Sequence, residues 1–245
     1  QKELMLSSQV DREEPLVIVG PPRIKEFVEA SRSTFEMYIN FEIQVREIER
    51  PWEKQLVYES EEYTIRSIPL RHSRTCVGYV FEEKPRPGVF HPELAQECGV
   101  PRGPLWSQLQ RGEPVTLEDG RVVESNDVMG PERRGRKFSY VTDTLPIDTI
   151  APEVSGSDLF ICEGMFGNEF REAAYEKRHM TAEDAARIAR DAGGVKKMGL
   201  IHYSPRYTNR QLKHLLQEAR ALFPETVLTK EKMSFPLPFE EEPAE

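Results

Sequence analysis

The feature that most constrains this chain is the alternation in its last third. Residues 137–142, 158–162 and 196–201 read as short strands, alternating with stretches at 181–192 and 209–222 that read as helices. Strand and helix in alternation predict an α/β layered fold. Thr181 followed by Asp184 predicts a capped helix start, and Gly193 with Gly194 predicts its stop. Val227 and Leu228, and the run 233–237, read as strands that could close the sheet.

Upstream, the run 15–19 ends at Gly20, Pro21 and Pro22, and Ile24, Phe27 and Val28 then recur at helical spacing up to about Ser33. Apolar and charged residues alternate over 41–48, 55–58 and 63–70, the period of half-buried strands, and 77–83 adds one more. Between Lys84 and Arg136 the periodicity fades among seven prolines, with one short helix expected at 92–96. A long weakly regular insert in a compact domain is most often a functional one. Residues 1–245 are read as one domain carrying this insert, with an acidic tail at 240–245.

No window approaches the 18 apolar residues of a membrane span, and no signal peptide opens the chain, so no membrane association is expected. Cys76, Cys98 and Cys162 are odd in number and lack CxxC spacing, which excludes a disulfide framework and a thiolate zinc cage and fits a reducing cytoplasm. The net charge of −9 confines any nucleic-acid contact to local patches. Residues 84–112 carry a net charge of +2 and residues 132–137 one of +3.

The chemistry candidates sit where predicted strands end: His72 after 68–71, Asp143 after 140–142 and His202 after 199–201. Two imidazoles and a carboxylate at one sheet edge make a plausible set of zinc ligands, the carboxylate able to bridge two cations. Glu163 ends another strand and His179 precedes a helix. A carboxylate on one ring nitrogen of His179 would fix its tautomer and leave the other nitrogen to deliver a proton. His91 and His214 read as structural, and no cysteine has the basic neighbours that would make it a nucleophile. The Ser elbow, the phosphate-binding P-loop and the dinucleotide glycine motif are absent.

Taken together, these motifs resemble the ribonuclease Z family, the metallo-β-lactamase-fold endonucleases that trim the 3′ trailer of precursor tRNA. The resemblance runs through residues 15–22, 69–72 with Gly78 and Tyr79, 103–112, Asp143 with Thr144, His179 with Thr181, and 202–207. It implies an αββα sandwich with an inserted flexible arm at 85–112. It also implies two zinc ions, with His72 and His202 each on one and Asp143 between them, His179 as proton donor oriented by Glu163, and a homodimer. Arg86, Arg102, Gly103, Pro104 and Arg111 would then belong to the arm that holds tRNA. The family's His-x-His-x-Asp-His motif does not occur in these residues, and residues 1–9 resemble the helix that follows it, so the N-terminal part of the sandwich is expected to be missing and this stretch alone inactive. Two other readings stay open: a hydrolase of small phosphodiesters or esters on the same fold, and a metal-free binding protein.

Overall fold

The structure is a computed structural model that describes residue 12 and residues 14–239; the helix expected at 1–9 and the tail at 240–245 lie outside them. Strands β1 (Leu16–Gly20) and β2 (Ile43–Glu47) pair in parallel around helix α1 (Ile24–Thr34). They are followed by β3 (Gln55–Glu59), β4 (Tyr63–Arg71) and β5 (Thr75–Glu83). A second group follows a long interval: β8 (Lys137–Val141), helix α4 (Ile150–Val154), β9 (Leu159–Glu163) and helix α5 (Arg171–Glu176). Helix α6 (Ala182–Ala192), β10 (Met198–Ile201), helix α7 (Asn209–Leu222) and β11 (Thr226–Leu228) complete it. These two groups contribute seven strands to one sheet, ordered β11-β10-β9-β8-β5-β4-β3.

Strands β8, β9, β10 and β11 run parallel, β8 is antiparallel to β5, and β3 is antiparallel to β4. Every residue of β9 is buried, as expected of a central parallel strand covered on both faces. On one face Phe160, Cys162, Val141 and Leu200 meet Ala182, Ala185, Ala186 and Ala189 of α6 and Leu215 and Ala219 of α7. The alanines let α6 lie close to the sheet, and each larger side chain so buried contributes about 1.5–3 kcal/mol. The expected capping box is present: the Asp184 amide donates to the Thr181 hydroxyl at 3.1 Å, and the Thr181 amide donates to the Asp184 carboxylate at 3.1 Å. Gly193, at φ 67, ends α6 as predicted.

Residues 233–237 do not form the closing strand. Pro236 and Pro238 lack the N–H that a ladder requires, and the Phe235 ring lies across Gly199, 3.7 Å from where a Cβ would stand.

The chain divides into two compact units, of which Glu83–Arg136 is one. The segment read as 85–112 is therefore part of a longer unit with elements of its own: α2 (Pro92–Glu97), α3 (Pro104–Gln110) and the hairpin β6 (Val115–Thr116) and β7 (Val122–Val123). A small core of Ala95, Val100, Leu109, Val115, Val123 and Val128 holds it together. Its ends are closed by bridges Arg86↔Arg133 and Phe90↔Met129 and by the Glu83–Arg136 ion pair. Sequence periodicity missed this unit because its core residues come from several short segments, each contributing one or two.

Candidate active site at one sheet edge

A connection as short as residues 72–74 forces β4 and β5 to be antiparallel, so β4 runs in the same direction as β8, β9 and β10. The C-terminal ends of these four strands share one edge, and four of the five expected residues stand there: His72, Asp143, Glu163 and His202. Register fixes their levels, with Ile201 opposite Glu163 and Val141 opposite Cys162.

The fifth, His179, arrives from the loop between α5 and α6. A parallel bridge between Phe166 and Thr181 docks that loop beside the end of β9, and the His179 amide donates to the Ala174 carbonyl at 2.8 Å. Gly164 allows the approach, since a Cβ there would stand 2.8 Å from Leu200 Cδ2 and 3.3 Å from Ala182 Cα.

The Glu163 carboxylate is fully buried. It accepts a hydrogen bond from the Thr144 amide, and its Oε2 lies 3.0 Å from His179 Nδ1 and 3.8 Å from His202 Nδ1. His202 Nδ1 is also 3.1 Å from Asp143 Oδ1, and His72 Nε2 is 4.0 Å from Asp143 Oδ2. His202 adopts φ 59, a left-handed backbone uncommon for non-glycine residues.

His72 Nδ1 donates to the Arg178 carbonyl at 2.9 Å, and the Arg178 guanidinium donates back to the His72 carbonyl at 3.0 Å. A carbonyl only accepts, so Nδ1 carries the proton and Nε2 presents its lone pair. A carbonyl or carboxylate behind one ring nitrogen is the usual support of a metal-binding histidine.

The electrostatics follow from this crowding of opposite charges. Glu163 and Asp143 together hold the His202 imidazole above its ordinary pKa, against the effect of its partial burial. Burial pushes the Asp143 carboxyl up, but the Thr142 hydroxyl and His202 outweigh it, leaving the group below its ordinary value. The Cys76 thiol is pushed up to about 11 by burial and by Asp143, so it stays protonated at neutral pH, in keeping with its exclusion as a nucleophile.

Two overlapping donor sets emerge, His72 with Asp143 and His179, and Glu163 with His179 and His202, each with its ligand atoms within 4.8 Å of one another. Imidazole nitrogen and carboxylate oxygen suit a divalent transition metal, and these residues fit one. Thr144 and Arg178, which hold Glu163 and His72, were missed in the sequence. Thr144 offered one signal, its place directly after Asp143; Arg178 offered none, because its role depends on its backbone carbonyl and on φ 61.

The expected arm residues lie within the Glu83–Arg136 unit. Arg102, Gly103 and Pro104 adjoin at the start of α3, with the Arg102 guanidinium over the Trp106 ring at 6.0 Å. Arg111 lies at the other end of α3 and pairs with Glu113 at 3.4 Å, and Arg86 forms the bridge with Arg133. Among the described residues no helix is long and apolar enough to cross a membrane.

No protein-family profile matches the chain. The chain is 56% identical over 238 residues to ribonuclease Z of Treponema denticola, a match covering 97% of this chain and 76% of that protein. It is 51% identical to ribonuclease Z of Treponema pallidum over the same shares, and 38% identical to that of Borreliella burgdorferi over 94% of this chain and 72% of the relative. Among solved structures, the human short-form tRNase Z superposes with a TM-score of 0.59 at 16% identity, covering 96% of this chain and 72% of that one. The metallo-β-lactamase-fold protein YhfI of Bacillus subtilis superposes with a TM-score of 0.54 at 17% identity, covering 93% of this chain and 67% of that one. The fold is thus the metallo-β-lactamase fold, and the chain belongs to the ribonuclease Z family of metal-dependent hydrolases.

Proposed function

We propose that this chain carries the proton-donating residues of a zinc-dependent endoribonuclease that trims precursor tRNA at its 3′ end in the cytoplasm. The observation that carries the proposal is the convergence of His72, Asp143, Glu163, His179 and His202 on one sheet edge, in a chain 56% identical to a ribonuclease Z. His72 through Nε2 and His202 would each hold one of two zinc ions, with Asp143 between them. When bound, such ions supply positive charge to the phosphate under attack and make a water molecule acidic.

The chain's own residues account for the departure of the 3′ oxygen. Glu163 accepts the Nδ1 proton of His179, which leaves Nε2 to donate to that oxygen. The Thr144 amide, donating to Glu163, holds the carboxylate in place. The Glu83–Arg136 unit would hold the tRNA body through Arg86, Arg102 and Arg111, with Gly103 and Pro104 exposing backbone at the start of α3. Contacts of this kind position RNA without reading its sequence. The chain would act as a homodimer.

Zinc retention by elemental analysis, together with cleavage of precursor tRNA, tests the reading in the intact enzyme. His72→Ala, Asp143→Ala and His202→Ala should each lower zinc content, whereas His179→Ala should retain zinc and lose cleavage. Unchanged zinc in the first three overturns the ligand assignment, and unchanged cleavage in His179→Ala overturns the proton donor. Replacing residues 84–135 by a short turn should weaken tRNA binding while sparing hydrolysis of a small phosphodiester, and equal loss of both overturns that unit's role.

A further inference from the structure

The segment 202–207 contains a cation that the site described above does not use. Arg206 extends its guanidinium over two aromatic rings, with its central carbon 4.5 Å from the centre of Phe170 and 5.0 Å from that of Phe166. Its Nε donates to the Ser204 hydroxyl at 3.1 Å. No carboxylate pairs with it among the described residues, so its two terminal nitrogens remain available as donors.

The platform beneath it is rigid. Phe166 is completely buried, the Ser204 amide donates to the Met165 carbonyl at 3.1 Å, and the Gly167 amide donates to the Tyr207 hydroxyl at 2.8 Å. Segments 165–170 and 202–207 are thereby joined, and Phe170 meets Tyr207 ring to ring at 6.3 Å. Of the carboxylates at this junction, Glu169 is engaged by the Tyr207 hydroxyl at 3.3 Å and Glu218 by the Asn168 amide at 3.0 Å.

The same Phe166 ring stands edge-on to His179, with centroids 6.4 Å apart, and Lys177 places a second cation 5.9 Å from its centre. In a chain of net charge −9, cations held against aromatic rings one ring's width from the proposed proton donor mark an anion site. An arginine fork held flat with both ends open matches two oxygens of one phosphate, a match a lysine ammonium does not make.

We propose that Arg206 binds a backbone phosphate of single-stranded RNA next to the bond under attack, and so sets which phosphodiester lies below His179. This rests on the ribonuclease reading, and the test separates the two. The probe is a fluorescently labelled seven-nucleotide oligouridylate, titrated with the whole chain in chelator and followed by anisotropy across a salt series. Each phosphate contact on a single strand contributes about 0.7 to the slope of log affinity against log salt.

Arg206→Gln should flatten that slope by about 0.7, the loss of one contact. Arg206→Lys, which keeps the charge and the packed stem, should keep the slope and bind several-fold more weakly. An unchanged slope in Arg206→Gln overturns the proposal. If that variant fails to fold, equal affinity in Arg206→Lys overturns it instead. Should the chain bind the oligomer with an Arg206-dependent slope while the intact enzyme leaves precursor tRNA uncut, the ribonuclease reading fails and Arg206 stands. Cleavage intact in a variant whose slope is unchanged refutes Arg206 alone.

Discussion

Replacing Asp184 by Ala tests how the site is supported. The Asp184 side chain is fully buried and accepts from the Thr181 amide and hydroxyl, from Arg171 at 2.7 Å, from Arg187 at 3.0 Å and, at 3.4 Å, from the Tyr175 hydroxyl. Losing the cap alone costs about 1 kcal/mol. Removing one partner from a buried charge network raises the loss to about 3–5 kcal/mol. Glu183 also pairs with both Arg171 and Arg187 and keeps them neutralised, so the lower end, about 3 kcal/mol, applies. In a protein of this size about 3 kcal/mol lowers Tm by roughly 6–12 °C. Urea titration and thermal melting should both show it. Because Thr181 and Asp184 share the same hydrogen bonds, Thr181→Ala combined with Asp184→Ala should be less destabilising than the sum of the single changes. A loss below about 1 kcal/mol, or strict additivity, would refute the claim that this network holds the start of α6, and with it the loop that carries His179.

Two further outcomes follow from the same geometry. Gly164→Val should destabilise by about 1–3 kcal/mol, because even the Cβ lies 2.8 Å from Leu200 Cδ2 and α6 must shift; a urea midpoint equal to the parent's would show that the close approach is not limiting. In metal-free protein, His202 titrates above its unfolded value, so its contribution to stability is complete below about pH 6.5 and is lost as pH rises through the folded value. Urea midpoints measured from pH 6 to 9 should fall along that limb, and Asp143→Asn should flatten it; an equal slope in both proteins would contradict the pairing.

The α/β class was legible because short strand-like segments at 137–142 and 158–162 alternate with segments of helical spacing, and α6 has both its cap and its stop written in short-range residues. His72, Asp143, Glu163 and His202 were legible as strand ends, since parallel neighbours place such ends together whatever the loops do. Nothing in the local sequence marked the left-handed backbone at Arg178 and His202. The short helix α4 was missed because Pro152 sits in its first turn, where a proline is tolerated but where the composition reads as loop. The run 233–237 was misread because apolar content says that a segment is buried, and not whether its backbone joins a ladder.

The pairing of Glu82 with Lys137 in β5 and β8 has a consequence for how this protein can vary. The chain leaves the sheet at one of these residues and re-enters at the other, so the whole Glu83–Arg136 unit occupies the position of a hairpin turn. Closing such a loop is an entropic demand met by the ladder itself, and it rises only slowly with loop length. Insertions, deletions or exchange of that unit for a two-residue turn should therefore leave the β5–β8 register undisturbed, and with it the spacing of the residues at the far ends of β8, β9 and β10. The unit proposed to hold substrate and the residues proposed to carry the chemistry are thereby free to diverge separately.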